Sequence, residues 1–183
     1  METAILVAFI AAVASFTTFT INAIQKRRDF LREEFSKAFL ACIAYEEFPY
    51  IVRRRKSSSQ DERQRISTEL HNIQQQIGYY SIWLASESKS VSMAYDTLVS
   101  NLRRIAGKQI HEAWLVKPIE TDEEMNMSDL GMDILKPYKM DYCSAVVRHF
   151  TWPKLLRRKS GNAKLAGITH TSDSTKEIEN PSV

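Results

Sequence analysis

Glycine and proline are scarce in this chain, with five of each in 183 residues. A many-stranded β fold needs both at its turns, so the shortage argues for helices. Cysteine is scarcer still. Cys42 and Cys143 stand far apart, make no disulfide framework and form no CxxC pair for zinc, which fits a reducing compartment. An excess of one charge is missing too: the net charge is +3, too small to signal nucleic-acid binding. No interleaved basic and aromatic motif adds to it, and nucleic acid is not expected as a partner.

The usual marks of catalysis are also absent. There is no Gly-rich phosphate loop and no G-x-S-x-G elbow, and "HEAWL" at His111 to Leu115 lacks the second His of a zinc-protease helix. His71, His111, His149 and His170 are scattered. Cys143 and His149 share a predicted helix on poorly matched faces. They read as a buried thiol and a partly exposed imidazole rather than a nucleophile pair. Glu120, Asp122, Glu123, Glu124, Asp129 and Asp133 form an acidic stretch without the D-x-D-x-D-G spacing that wraps calcium. No catalytic residue, cofactor or metal is assigned, and an enzyme is not expected.

What is present is one long uncharged run. Thr3 to Gln25 reads "TAILVAFIAAVASFTTFTINAIQ" and stops against Lys26, Arg27 and Arg28. At about 1.5 Å per residue it is just long enough for the ~30 Å hydrocarbon layer. Two other readings compete with an anchor. "AVAS" at Ala12 to Ser15 offers a signal-peptide cut, but the start carries Glu2 rather than a basic residue and the apolar run continues past the cut. A buried helix of a soluble domain would suit the mild polarity of Thr17, Thr18, Thr20 and Asn22. The anchor is the reading adopted. Basic flanks stay in the cytoplasm, so the N-terminus is expected outside and everything from Lys26 onward inside, at the inner membrane.

Ala4, Ala8, Ala11, Ser15, Thr18, Asn22 and Gln25 alternate by four and three, the seam spacing of a helix pair. All are small or polar, while Ile5, Phe9, Val13 and Phe16 lie off the seam. Such seams let spanning helices approach and hydrogen-bond, so self-association through Ala4, Ala8, Ala11, Ser15, Thr18 and Asn22 is one expectation. The same residue types are common in any spanning helix.

The rest of the chain reads as all-α: a small cytoplasmic bundle on a long antiparallel hairpin. The anchor spans 1–25, and a juxtamembrane helix with a basic linker spans 26–56. Leu31, Phe35, Phe39 (or Ala38) and Cys42 keep helical spacing there, and the helix is expected to end or kink at Phe48, before Pro49. "RRRKSSSQ" reads as a solvated break. Ser59 and Glu62 then form a predicted capping box, Ser59 taking the N3 amide and Glu62 reaching back. The hairpin spans 57–116. Its first seam is Ile66, Leu70, Ile73, Ile77, Tyr80 and Leu84, and its second is Val91, Tyr95, Leu98, Leu102 and Ile105. The five residues "SESKS" connect them. Gly78 and Gly107 lie inside the helices, either for close contact or merely tolerated. A solvated acidic connector covers 117–136, a C-terminal helix 137–159 with Pro137 in its first turn, and a disordered tail 160–183. Basic residues Lys26, Arg27 and Arg28, and later Arg157, Arg158 and Lys159 beside Leu155 and Leu156, are expected contacts for anionic lipid; a solvated helix end is the rival reading of the second group.

"IGYYSIWLASESKSVSMAYDTLVSNLRRIAGKQIHEAW", preceded by a hydrophobic run that ends in basic residues, resembles a group of uncharacterised small bacterial proteins, many actinobacterial. They carry one anchor and a helical cytoplasmic part. The resemblance covers about the first two thirds of the chain and implies no catalytic residue. The expected role is interaction or scaffolding at the membrane, with lipids, an unidentified protein partner and a homo-oligomer as partners. The alternative is a membrane-active, toxin-like effector acting through assembly of the anchor.

Overall fold

The computed structural model describes residues 2–125 and 130–151, and all of its regular structure is helical. Helix α1 spans Glu2–Arg53, α2 Gln60–Glu87, α3 Lys89–Leu115 and α4 Lys136–Phe150, with short 3-10 turns at Asp122–Met125 and Met132–Leu135. The latter part of α1 and the three other helices form an up-down-up-down bundle. Arg27 pairs with Glu87 and Lys139 with Glu46, so α2 and α4 run against α1. Arg55, just past α1, meets the last residues of α3, so α3 runs with it.

The core follows the sequence periodicity closely. From α1 come Leu31, Phe35, Ala38, Cys42, Tyr45, Phe48 and Val52. From α2 come Ile66, Ile73, Ile77, Tyr80 and Leu84, with Leu70 half-buried. Val91, Tyr95, Leu98 and Leu102 of α3 continue into Ala106, Ile110 and Ala113. On α4, Tyr142 is buried between Tyr138, Val146 and Phe150, which are partly covered. The Tyr142 hydroxyl donates to the Phe35 carbonyl at 2.8 Å, which satisfies a buried polar group in the middle of this core.

Several local expectations are corrected. Of the end or kink expected at Phe48, the end does not occur: helix α1 runs through Pro49 to Arg53. Pro49 cannot donate to the Tyr45 carbonyl, yet Phe48 and Val52 on either side are fully buried, and their packing holds the turn. The five-residue connection shrinks to Ser88 alone, an extended residue whose N–H caps the Leu84 carbonyl at 2.8 Å and whose carbonyl opens α3. Half of the capping box forms. Ser59 accepts from the Glu62 amide, but the Glu62 carboxylate turns to Arg65 at 2.9 Å instead of reaching back. The connector is not wholly solvated: Met132 and Leu135 enter the core, and the Leu130 amide donates to the Tyr50 hydroxyl. Cys143 is exposed rather than buried. Gly78 touches nothing at its open face, whereas a Cβ on Gly107 would sit 3.6 Å from the Tyr45 hydroxyl.

Candidate membrane anchor and the open face of the first helix

The first half of α1 differs from everything else among the described residues. It is long and apolar enough to cross a membrane, with a window of mean hydropathy 1.9, none of which is buried in the bundle. Phe16 and Phe19 are each 72% exposed. A core helix of a soluble domain would hide such side chains, since each buried Phe is worth about 1.5–3 kcal/mol. The hydroxyls of Thr17, Thr18 and Thr20 donate to the carbonyls of Val13, Ala14 and Phe16 at 2.8–2.9 Å. These three hydroxyls are thus satisfied inside the helix, as residence in hydrocarbon requires, while the Asn22 side chain is exposed.

Ala8, Ala11, Ser15, Thr18 and Asn22 are exposed along one side of α1, and Ala4 lies in the same helix. The three cations that follow are not equivalent. Arg27 bonds to the Glu87 carboxylate at 3.0 Å, which ties the α2–α3 corner to the end of the apolar stretch. Lys26 is exposed, and Arg28 is half-buried with an Nε that finds no acceptor. Arg157, Arg158 and Lys159, with the expected tail at 160–183, lie outside the described residues. Helix α4 ends nearby, with the Phe150 ring 5.3 Å from the Arg32 guanidinium and 5.7 Å from the Phe35 ring.

Two open grooves flank α1 in the bundle. One, of about 830 Å³, lies against α2 between Lys37, Leu40, Ala44, Gln76 and Tyr79. The other, of about 410 Å³, lies against α4 between Phe35, Phe39, Tyr142, Cys143 and Val146. Leu40 lines both and is 62% exposed. Lys37 bonds Glu33 at 2.8 Å and the buried Glu34 at 2.9 Å, and those bonds raise its pKa. Neither groove gathers a set of polar groups suited to bond making. Among the described residues no group of three or more His, Cys, Asp and Glu converges. The His149 ring packs edge-on against Phe35 at 5.2 Å.

The far end of the bundle holds what sequence reasoning missed. Arg55, placed in a solvated break, is 4% exposed. Its guanidinium donates to the carbonyls of Val52 and Ala113 at 3.0 Å, to Trp114 at 3.4 Å and to Val116, and it stacks 5.2 Å from the Trp114 ring. It therefore satisfies the orphan carbonyls at the α3 C-terminus, where a cation also meets the negative end of the helix dipole. Burial, then the neighbouring Arg53 and Arg63, lowers its pKa. No local signal marks it, because its partners on α3 and at Val116 lie about sixty residues away. Leu40 was more legible: it falls off the Leu31, Phe35, Ala38, Cys42 stripe. In the core, burial pushes the Cys42 thiol up to about 12 and raises the Tyr95 and Tyr142 hydroxyls as well. No family model, curated protein or solved structure matches this chain.

Proposed function

We propose that this chain is a single-pass, membrane-anchored helical interaction module. The fully exposed apolar half of α1, continuous with the helix that builds one wall of the bundle, carries this reading. The 23 residues from Thr3 to Gln25 give a span of roughly 35 Å. Lys26, Arg27 and Arg28 then hold the bundle on the cytoplasmic side of a bacterial inner membrane, with the N-terminus outside. The continuous helix supports an uncleaved anchor over an export signal, since a cut near Ser15 would leave half the apolar stretch attached to the bundle. No activity is assigned; the bundle presents grooves and a helical face, which suit binding of a protein partner better than chemistry.

Lipid contact is part of the proposal. The Arg27–Glu87 pair draws the α2–α3 corner to the bilayer edge, where Lys26, Arg28 and Lys89 meet anionic headgroups at roughly 1 kcal/mol per cation. Arg157, Arg158 and Lys159 are assigned the same role on sequence alone. Protease added outside spheroplasts tests the orientation. A tag after Val183 should be protected, and changing Lys26, Arg27 and Arg28 together to Ala should expose a fraction of it. Cleavage of the tag in the unaltered protein refutes the orientation.

A second reading is favoured by Asn22, exposed on the seam of an otherwise apolar span. An effector that perturbs the bilayer by assembling this helix would arrest growth on overexpression, and deletion of 1–25 would abolish the arrest. Normal growth on overexpression removes that reading.

A further inference from the structure

Helix α2 divides by charge. Its first half carries Asp61, Glu62, Arg63, Arg65 and Glu69, but from His71 to Ser86 there is no Asp, Glu, Lys or Arg. Over the last turns the exposed residues are Tyr79, Ile82, Ala85 and Ser86, and Ile82 is 77% exposed. At the same end of the bundle the Phe30 ring, 53% exposed, meets the Trp83 ring edge-on at 6.4 Å. Helix α4, on the other flank of α1, differs. It exposes Asp141 and Arg148 along the stretch that packs on Phe35 and Phe39. A water-facing helix surface is ordinarily charged, so the bare end of α2 asks for another surrounding.

Height says which. Arg27 holds Glu87, so the end of α2 sits about 3 Å past Gln25, the last residue of the apolar run. With α1 along the membrane normal, Phe30 lies about 8 Å and Ile82 about 10 Å beyond the hydrocarbon edge. Headgroups fill roughly 5–8 Å on each side. Spanning helices tilt by about 20° on average, and packed helices lie about 8–10 Å apart, so a tilt toward α2 lowers that helix by about 3 Å. Ile82, Ala85 and Phe30 then reach the headgroup layer. Side chains lean toward the start of their helix, which turns the Phe30 ring back toward the bilayer. Aromatic rings such as that of Trp83 favour this depth. The nearby carboxylates are already paired, Glu87 with Arg27, and Glu33 and Glu34 with Lys37. The exposed Lys26 and Lys89 leave a cationic rim that suits anionic lipid.

We propose that the last turns of α2, with Phe30 of α1, form a lipid-contact surface: the bundle leans toward α2 and sets Ile82, Ala85 and the Phe30–Trp83 pair in the headgroup layer. The inference rests on the anchored reading above and adds a direction to it, α2 down and α4 up.

Spin labels on single cysteines test the lean. The full chain carries Cys143→Ser, keeps the buried Cys42, and is reconstituted in vesicles of phosphatidylcholine and phosphatidylglycerol. Ile82→Cys and Ala85→Cys place the label on the proposed surface. Val147→Cys, 63% exposed on α4, and Leu115→Cys, 76% exposed at the far end, are the controls. Oxygen, which concentrates in lipid, and a water-soluble nickel chelate each relax the label. The ratio of oxygen to nickel relaxation should be several-fold higher at Ile82→Cys and Ala85→Cys than at either control. A ratio at both α2 sites equal to that at Leu115→Cys overturns the proposal. Labels there shielded from both relaxers reveal a protein cover and overturn it too. So does a ratio at Val147→Cys as high as at Ile82→Cys, which removes the lean. Each of these results leaves the anchor standing, whereas a chain that separates from the vesicles in the aqueous fraction sinks the anchored reading itself.

Discussion

The two halves of α1 share one backbone and use opposite rules. From Leu31 onward a narrow stripe is buried and most of the rest is polar, Leu40 excepted: Arg32, Glu33 and Lys37 alternate with Leu31, Phe35 and Ala38. Before Gln25 no stripe is buried. Large apolar residues such as Ile5, Phe9, Phe16 and Phe19 cover most of the helix, every described side chain is exposed, and the hydroxyls of Thr17, Thr18 and Thr20 bond back to their own turn. A helix so largely apolar needs an apolar surrounding, and this bundle does not supply it. The contrast shows that a buried stripe encodes a neighbouring helix, while a wholly exposed apolar surface encodes a solvent.

The largest expected effect breaks the comparison directly. Phe35→Ala removes a core ring that meets Trp83, His149 and Phe150 and should cost the bundle about 3–5 kcal/mol, whereas Phe16→Ala should change its unfolding by under about 0.5 kcal/mol. Denaturant titration in detergent, followed by tryptophan fluorescence, reads both; equal losses would contradict the division. Next comes Arg55→Met, which keeps the length and removes the donors. It should cost about 2–3 kcal/mol by stranding the carbonyls of the α3 end, with Arg55→Lys between the two. An unchanged midpoint would show that the cap contributes nothing.

Alkali sharpens the contrast by a smaller amount. The Cys42 thiol ordinarily titrates at 9.0 and is pushed to about 12 in the core, with Tyr95 and Tyr142 also raised. An acid whose folded pKa is raised holds its proton more tightly when folded. The bundle therefore keeps full stability below pH about 9 and loses it progressively as pH climbs toward 12. Melting curves at rising pH should fall over that window, and Cys42→Val should flatten its first part. Thiol reagents at pH 8 should label the exposed Cys143 well before Cys42. The smallest effect is a gain. Gly78 faces open space within α2, so Gly78→Ala should stabilise the bundle by about 0.5–1 kcal/mol. A loss there would mean that the open side of α2 is covered by a partner.

How much of this was legible depends on range. Seams such as Ile66, Ile73, Ile77 and Leu84 are local periodicity, and they were read almost residue by residue. The all-helical class followed from the same patterns. Arg55 was not legible, because a guanidinium after "VRR" looks solvated until α3 delivers its carbonyls. Pro49 was legible only as a choice between an end and a kink: the local rule allowed the helix to stop, and buried neighbours on both sides carried it on. Of the candidate site, the span was plain in composition, and the off-stripe position of Leu40 was visible without revealing what it faced. That Arg27 is committed to Glu87 needed the fold.

The most direct test of the division is fractionation of the full-length chain expressed without detergent, followed by alkaline carbonate washing of the membranes. The account predicts that the chain stays in the membrane pellet after the wash and that the same chain lacking residues 1–25 moves to the supernatant as a folded, monodisperse helical protein. A full-length chain recovered in the supernatant as a compact monomer, with Phe16 and Phe19 protected from solvent, would contradict it.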